Sequence, residues 1–233
     1  MKELLKIDGL KKDYGAKEVL KGTTLSIPTG RLVGLLGPNG SGKTTLLRII
    51  AGLEKRYTGT VTVDGNDIGA QTKAIVSYMP DANFIPSFMS VNDTIKWSID
   101  YHPDFDPNKA EELRQFFDLP LHTKVKKLSK GNIEKCMLML TLSRKAKLYL
   151  LDEPLGGIDP LSKVKIIDTI LESFADEDRT MIISTHLLRD TEKLFDYALF
   201  LKDGVIALEG DTDDIREEKG KTLEEVYVEV YDA

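Results

Sequence analysis

Cysteine is nearly absent: Cys136 stands alone in 233 residues. A single thiol excludes an internal disulfide and fits a reducing compartment. It sits in the apolar run Cys136–Leu140, so it is expected to be buried and inert. Histidine is scarce as well, at three, and no Cys/His cluster has metal-ligand spacing, so zinc is not implied. No apolar run approaches the roughly 20 residues of a membrane-spanning helix. The segment Met1–Lys6 lacks the apolar stretch of a secretory signal. Positive charge is not in excess. The formal net charge is −6, which disfavours nucleic acid as a primary partner. There is no internal repeat, no low-complexity segment and no linker long enough to separate domains. What remains is an ordinary globular balance, 41% hydrophobic and 30% charged.

Within that balance one stretch has a specific chemistry. Gly37-Pro38-Asn39-Gly40-Ser41-Gly42-Lys43-Thr44-Thr45 fits the phosphate-loop pattern G-x-x-x-x-G-K-[ST]. Glycines let the backbone turn tightly, so that successive N–H groups point at phosphate oxygens. Lys43 adds a point charge, and the Thr44 hydroxyl is placed to ligate Mg²⁺. The apolar run Arg31–Leu36 before the loop reads as a short buried strand, and Thr45–Gly52 after it reads as a helix. A helix starting near Lys43 aims its dipole at the same anion.

Around this unit the chain alternates strands and helices. Leu4–Lys12 and Glu18–Ile27 read as strands, and Thr58–Asp67 as a hairpin with an Asp-Gly turn. Ala74–Met79 reads as a further strand, stopped by Pro80. From Asp81 to about Arg144 strand signals fade. Ala110, Leu113, Phe116 and Phe117 have helical spacing, which predicts a mainly helical insertion. Strands return at Leu148–Leu151 and Thr180–Ser184, with an amphipathic helix over Leu161–Phe174 between them. That order argues for a parallel sheet. Leu199–Ala207 is a hairpin with a second Asp-Gly turn. Asp211–Lys219 reads as helical and Val226–Tyr231 as a candidate last strand.

A second set of residues fits the same phosphate chemistry. The strand at Leu148–Leu151 delivers Asp152 and Glu153 at its end. Asp152 suits the outer sphere of a metal facing Thr44, and Glu153 suits a general base for water attacking a γ-phosphate. His186 follows the strand Met181–Thr185, at the carboxyl end where ligands bind in open α/β sheets.

Taken together, these residues resemble the ATP-binding-cassette (ABC) ATPases over almost the whole chain, Leu4 to about Val230. The phosphate loop reads GPNGSGKTT. Leu150-Leu151-Asp152-Glu153-Pro154 looks like the family's Walker B segment, Gly157-Ile158-Asp159-Pro160 its D-loop, and Ser184-Thr185-His186 its switch histidine. Tyr14 matches the aromatic that stacks on adenine. Two segments depart from the pattern. The signature, usually LSGGQ, reads Leu128-Ser129-Lys130-Gly131-Asn132. Asp81 stands where the Q-loop glutamine begins, which leaves the metal geometry and the coupling to a membrane partner in question.

The resemblance implies an α/β fold, a P-loop NTPase cassette with a parallel-sheet ATP-binding core, an antiparallel β subdomain and a mainly helical insertion. It implies one domain, with 1–80 and 145–233 forming the core and 81–144 carrying the signature loop. ATP and Mg²⁺ are the implied cofactors, with Asp81 as a third candidate for the metal. The implied reaction is ATP hydrolysis in a head-to-tail dimer of two cassettes, identical or not. In it Ser129, Lys130, Gly131 and Asn132 complete the site in trans. The implied partner is an integral-membrane permease, which would place the chain in the cytoplasm on the membrane face. The LSKGN variant, Tyr101–Asp106 and Leu223–Tyr227 resemble exporter subunits of the bacitracin and antimicrobial-peptide type. Two other readings stay open. One is a soluble ABC ATPase acting on nucleic acid or ribosomes, favoured only by the lysines around Lys124–Lys135 and Arg144–Lys147. The other is a regulatory nucleotide switch with weakened hydrolysis. Phe84, Ile85, Phe88 and Met89 form either an exposed apolar patch or ordinary core, and Trp97 reads as core or interface packing.

Overall fold

The computed structural model describes residues 2–156, 158, 160–174, 179–186, 188 and 191–232. β1 (Glu3–Tyr14) and β2 (Lys17–Pro28) form a long antiparallel pair, burying Leu5, Ile7 and Leu10 on one strand and Leu20, Leu25 and Ile27 on the other. β3 (Leu32–Leu36) and α1 (Lys43–Ile50) flank the phosphate loop. β4 (Thr58–Val63) and β5 (Asn66–Asp67) follow as a hairpin. Its turn residues Asp64 and Gly65 have φ of 50° and 77°, the backbone that a two-residue hairpin turn requires. These strands make an antiparallel sheet in the order β2-β1-β4-β5.

The remaining elements are α2 (Ala70–Ile75), β6 (Val76–Met79), α3 (Val91–Tyr101), α4 (Pro107–Phe116), α5 (Lys130–Leu142), β7 (Leu148–Asp152), α6 (Pro160–Phe174), β8 (Thr180–Thr185), β9 (Tyr197–Lys202), β10 (Val205–Asp211), α7 (Thr212–Lys219) and α8 (Leu223–Asp232). The second sheet runs β10-β9-β3-β8-β7-β6. All its neighbours are parallel except β10, which returns antiparallel from β9. The turn between β9 and β10 also binds the two sheets together. Gly204 O accepts from Lys21 N and from Thr23 Oγ1, each at 2.9 Å. A Cβ on Gly204 would stand 2.3 Å from Val19 O, so only glycine permits that approach.

The apolar runs of the parallel strands serve two cores, one on each face of the sheet. Leu36, Met79, Tyr149, Leu151, Ile183 and Phe200 face a core shared with α3 to α6 and α8. Val33, Leu35, Leu148, Leu150, Ile182 and Leu199 face the other, shared with α1 and the antiparallel sheet. Cys136 is fully buried in the first core, and burial pushes its thiol up to about 11.

The helices between β6 and β7 start on side-chain caps. Ser90 and Asp93 form a capping box on α3, Asp106 caps α4 with Pro107 in its first turn, and Ser129 caps α5. Arg144 ties them to the sheet. Its guanidinium pairs with Asp104 at 3.0 Å and donates to Val76 O at 2.8 Å, with its side chain 11% exposed. Arg144→Ala leaves both partners half-buried and unpaired. It is expected to destabilise the protein by about 2–3 kcal/mol in urea unfolding.

Two sequence expectations fail. Ala74–Met79 is not one strand: Ala74 and Ile75 end α2, whose Thr72 side chain bonds back to Gly69 N at 3.0 Å, and pairing begins at Val76. Val226–Tyr231 is helical, not extended. Its β-branched and aromatic residues suggest a strand, but Leu223, Val226, Tyr227, Val230 and Tyr231 share one helical face packed on the core. That packing overrides local β-propensity. The apolar patch after Asp81 is split: Ile85 is buried at 5%, whereas Phe84 and Phe88 are 43% and 69% exposed. Trp97 is 39% exposed and stacks on Tyr101, with ring centroids 4.8 Å apart.

Candidate functional site

At the carboxyl edge of the parallel sheet, β3 ends at Leu36 and the chain turns through Gly37–Gly42 into α1. Gly40 and Gly42 take φ of 84° and 110°, and Gly42 is the N-cap of α1. This geometry turns the free amides at the start of α1 toward one point. A Cβ on Gly37 would meet Ser41 Oγ at 2.6 Å and Leu201 O at 2.7 Å. The loop therefore cannot close with a larger residue at that position.

A cavity of about 340 Å³ lies over the loop. Asn39, Gly40, Gly42, Lys43, Thr44 and Thr45 line it, with Asp81 and Glu153 opposite. Lys43 is 6% exposed, and its Nζ donates to Gly37 O at 2.7 Å and to Pro38 O at 3.2 Å. The same Nζ lies 3.4 Å from Glu153 Oε1. Glu153 Oε2 lies 3.0 Å from His186 Nδ1. Lysine, carboxylate and imidazole thus converge on one space. Glu153 reaches it from the end of β7 with φ of 49°, an uncommon backbone for a residue with a side chain. Ser184 pins it there, accepting from Glu153 N at 3.0 Å through Oγ.

Ser184 also donates to Asp152 Oδ1 at 2.5 Å, while Tyr78 OH lies 3.4 Å from Oδ2. Asp152 is fully buried. Burial pushes its carboxyl up, hydrogen bonds from Ser184 and Thr44 pull it down, and the Asp81 and Glu153 carboxylates raise it further. A cation between Thr44, Asp152 and Asp81 would relieve that cost. The donors are all oxygen, as a hard cation prefers. Among the described residues no three His, Cys, Asp or Glu form a metal cluster by themselves. Ser41 Oγ and Glu153 Oε1 are buried with no hydrogen-bond partner, as polar atoms meant for a ligand or its water would be.

The other candidates lie elsewhere. Tyr14 does not line this cavity. It is 49% exposed, its hydroxyl donates to Glu54 Oε2 at 3.0 Å, and Lys17 and Val19 line the cavity instead. Ser129, Lys130, Gly131 and Asn132 open α5, outside the cavity. Ser129 Oγ accepts from Asn132 N at 3.3 Å, Lys130 is 71% exposed, and a Cβ on Gly131 would meet nothing within 4 Å. Asp159 lies outside the described residues. Sequence reasoning missed Ser184 and Tyr78 as parts of the site. Their signal was a polar side chain in an otherwise apolar strand next to Asp152.

Comparison with known proteins agrees with this geometry. The ABC transporter family model matches residues 20–156. An uncharacterized ABC transporter ATP-binding protein of Bacillus subtilis (strain 168), YdbJ, is 33% identical over 88% of this chain and 68% of its own. The lantibiotic transport ATP-binding protein SrtF of Streptococcus pyogenes is 30% identical over 90% of this chain and 92% of its own. The aliphatic sulfonates import ATP-binding protein SsuB 2 of Agrobacterium fabrum (strain C58) is 32% identical over 89% and 79%. The solved ATP-binding subunit of an ABC transporter superposes with a TM-score of 0.88 at 26% identity, covering 97% of this chain and 98% of that one. The phosphate loop, the acidic strand end and these likenesses together place the chain in the ABC transporter family, as an ATP-binding subunit that hydrolyses ATP.

Proposed function

We propose that this chain is the energy-coupling subunit of a bacterial exporter, driving a drug, antimicrobial or peptide through a separate membrane permease. One observation carries the coupling. A groove of about 490 Å³, walled by Leu53, Phe84, Trp97 and Arg144, lies beside the nucleotide cavity, and Thr44 and Asp81 line both. A partner seated against Phe84 and Trp97 would share two wall residues, Thr44 and Asp81, with the nucleotide cavity. The likeness to a lantibiotic transport subunit supports an antimicrobial cargo, and the likeness to a sulfonate import subunit favours a different cargo and inward transport. Among the described residues no helix is long and apolar enough to cross a membrane.

In this reading Gly37–Thr45 hold the phosphates, and Tyr14 releases Glu54 to meet the adenine. Thr44, Asp152 and Asp81 would hold Mg²⁺, which would supply positive charge against that building on the transferred phosphoryl group. Glu153 takes a proton from the attacking water, and His186 orients the Glu153 carboxylate. Ser129 and Gly131 face a second cassette, identical or not, whose cavity they complete across the dimer. Catalysis is mainly positioning and electrostatics.

The test is extraction of native membranes carrying the tagged chain. A multi-span membrane protein should co-purify in near-equal amount and supply the subunit that sets the substrate. Replacing Phe84 and Trp97 together by serine should lose that partner while ATP affinity stays within about twofold, since neither side chain lines the nucleotide cavity. Recovery only from the cytosol, or with ribosomes or DNA, overturns the proposal.

A further inference from the structure

Helix α8 does more than cover the sheet. It is held by buried Leu223 and Val226, by Lys202 Nζ donating to Val230 O at 2.7 Å, and by Glu229 paired with Lys221 at 2.6 Å. Its last turn places Tyr231 at the edge where β3 and β9 part. The two strands are in register to Leu36 and Phe200. There the Tyr231 hydroxyl reaches Leu36 O at 2.8 Å and, one residue beyond Phe200, Leu201 O at 3.1 Å. Leu36 is the residue from which the phosphate loop springs. A Cβ on Gly37 would stand 3.3 Å from the Tyr231 hydroxyl. Burial raises the phenol well above its usual range, so it remains a donor at any ordinary pH. Tyr227, one turn earlier, stacks on Tyr231 with ring centroids 4.4 Å apart. Burial, and then the Glu153 carboxylate, raise the Tyr227 phenol, which places it in the field of the residue proposed as the base.

We propose that Tyr231 is a positioning residue for the phosphate loop, through which docking of the C-terminal helix α8 sets the affinity for nucleotide. The inference rests on the reading that Gly37–Thr45 bind the phosphates. The phenol ties the carbonyl of Leu36 to that of Leu201, fixing the direction in which Gly37 and the following amides leave the sheet. Without the hydroxyl these carbonyls lose their shared donor, and the loop must be ordered by the nucleotide itself. The cost then appears in binding rather than in the chemical step, because Glu153 and His186 hang from other strands.

The experiment compares the full-length wild type, Tyr231→Phe and Lys43→Ala. Each is measured for binding of a non-hydrolysable ATP analogue, for KM and kcat of ATP hydrolysis, and for Tm. Tyr231→Phe keeps the ring packing and removes one shared hydrogen bond. It is expected to raise KM and Kd by about threefold to tenfold with kcat within about twofold. A lowered Tm with unchanged KM and Kd would make the phenol a structural group only, and the inference falls. Full retention of binding and Tm also overturns it. If Lys43→Ala binds normally, the phosphate-loop reading itself fails, which separates the two. Should Tyr231→Phe not fold, hydrogen exchange on the wild type decides. Coupling is reciprocal, so the analogue should slow exchange of α8 amides. Unchanged exchange there contradicts the inference.

Discussion

Glu153→Gln is expected to keep ATP binding and lose hydrolysis by about 10²–10⁴-fold, the usual contribution of a positioned general base. Glutamine has the same shape, so the backbone at φ 49° and its bond to Ser184 are undisturbed. What goes is the proton acceptor. Glu153 is the residue with a carboxylate facing both Lys43, at 3.4 Å, and His186, at 3.0 Å. The amide also removes negative charge from a cavity meant for a polyanion. Affinity for ATP should therefore hold or rise while phosphate release falls. Calorimetry and a phosphate-release assay on the same preparation check both halves. A variant turning over at the wild-type rate would remove Glu153 from its role.

Lys43→Ala should act on the opposite half, removing binding rather than turnover. A charge-assisted hydrogen bond to a phosphate contributes about 2–3 kcal/mol, so Kd for ATP should rise about 30- to 150-fold. The lysine also has a structural share. It is buried and satisfies Gly37 O and Pro38 O. Its removal should lower stability by about 1–3 kcal/mol, the cost of unpaired buried acceptors. The two effects are separable. The melting transition should stay cooperative while its upward shift at a fixed ATP concentration shrinks by about 2–3 kcal/mol of ligand stabilisation. A wild-type shift with ATP would mean that the phosphates sit elsewhere.

The parts of this molecule legible in the sequence are those where local chemistry and global fold agree. Gly-rich spacing before Lys43 has one steric use, and Gly40 and Gly42 do take positive φ. Both Asp-Gly pairs, at Asp64 and Asp203, make the turns their residue types favour. Asp152 and Glu153 stand out only because the phosphate loop is in the same chain; an apolar strand ending in an acidic turn is common by itself. The failures came where tertiary contacts decide. Val226 and Val230 look extended until the surface they cover is known, and only the assembled edge of β3 and β9 explains Tyr231. Ser184 was visible as a strand residue, but not as the clamp that bonds the Asp152 carboxylate and the Glu153 backbone. Tyr14 was read through the resemblance alone, and the chain holds it against Glu54 and Lys12, with Lys12 Nζ 4.5 Å from its ring centroid. Direction of transport was not legible for a physical reason: in the proposed arrangement the surfaces that would choose a substrate lie on a permease and not on this chain.

The proposed mechanism depends most on a site completed by a second cassette. Ser129–Asn132 open a helix toward solvent and take no part in the cavity of their own chain. Light scattering on Glu153→Gln, with and without Mg·ATP, tests this directly. The account predicts a mass of 26.0 kDa without nucleotide and twice that with it, or pairing with a distinct cassette if the dimer is mixed. A single-chain mass under saturating Mg·ATP, with no second cassette able to change it, would contradict the account.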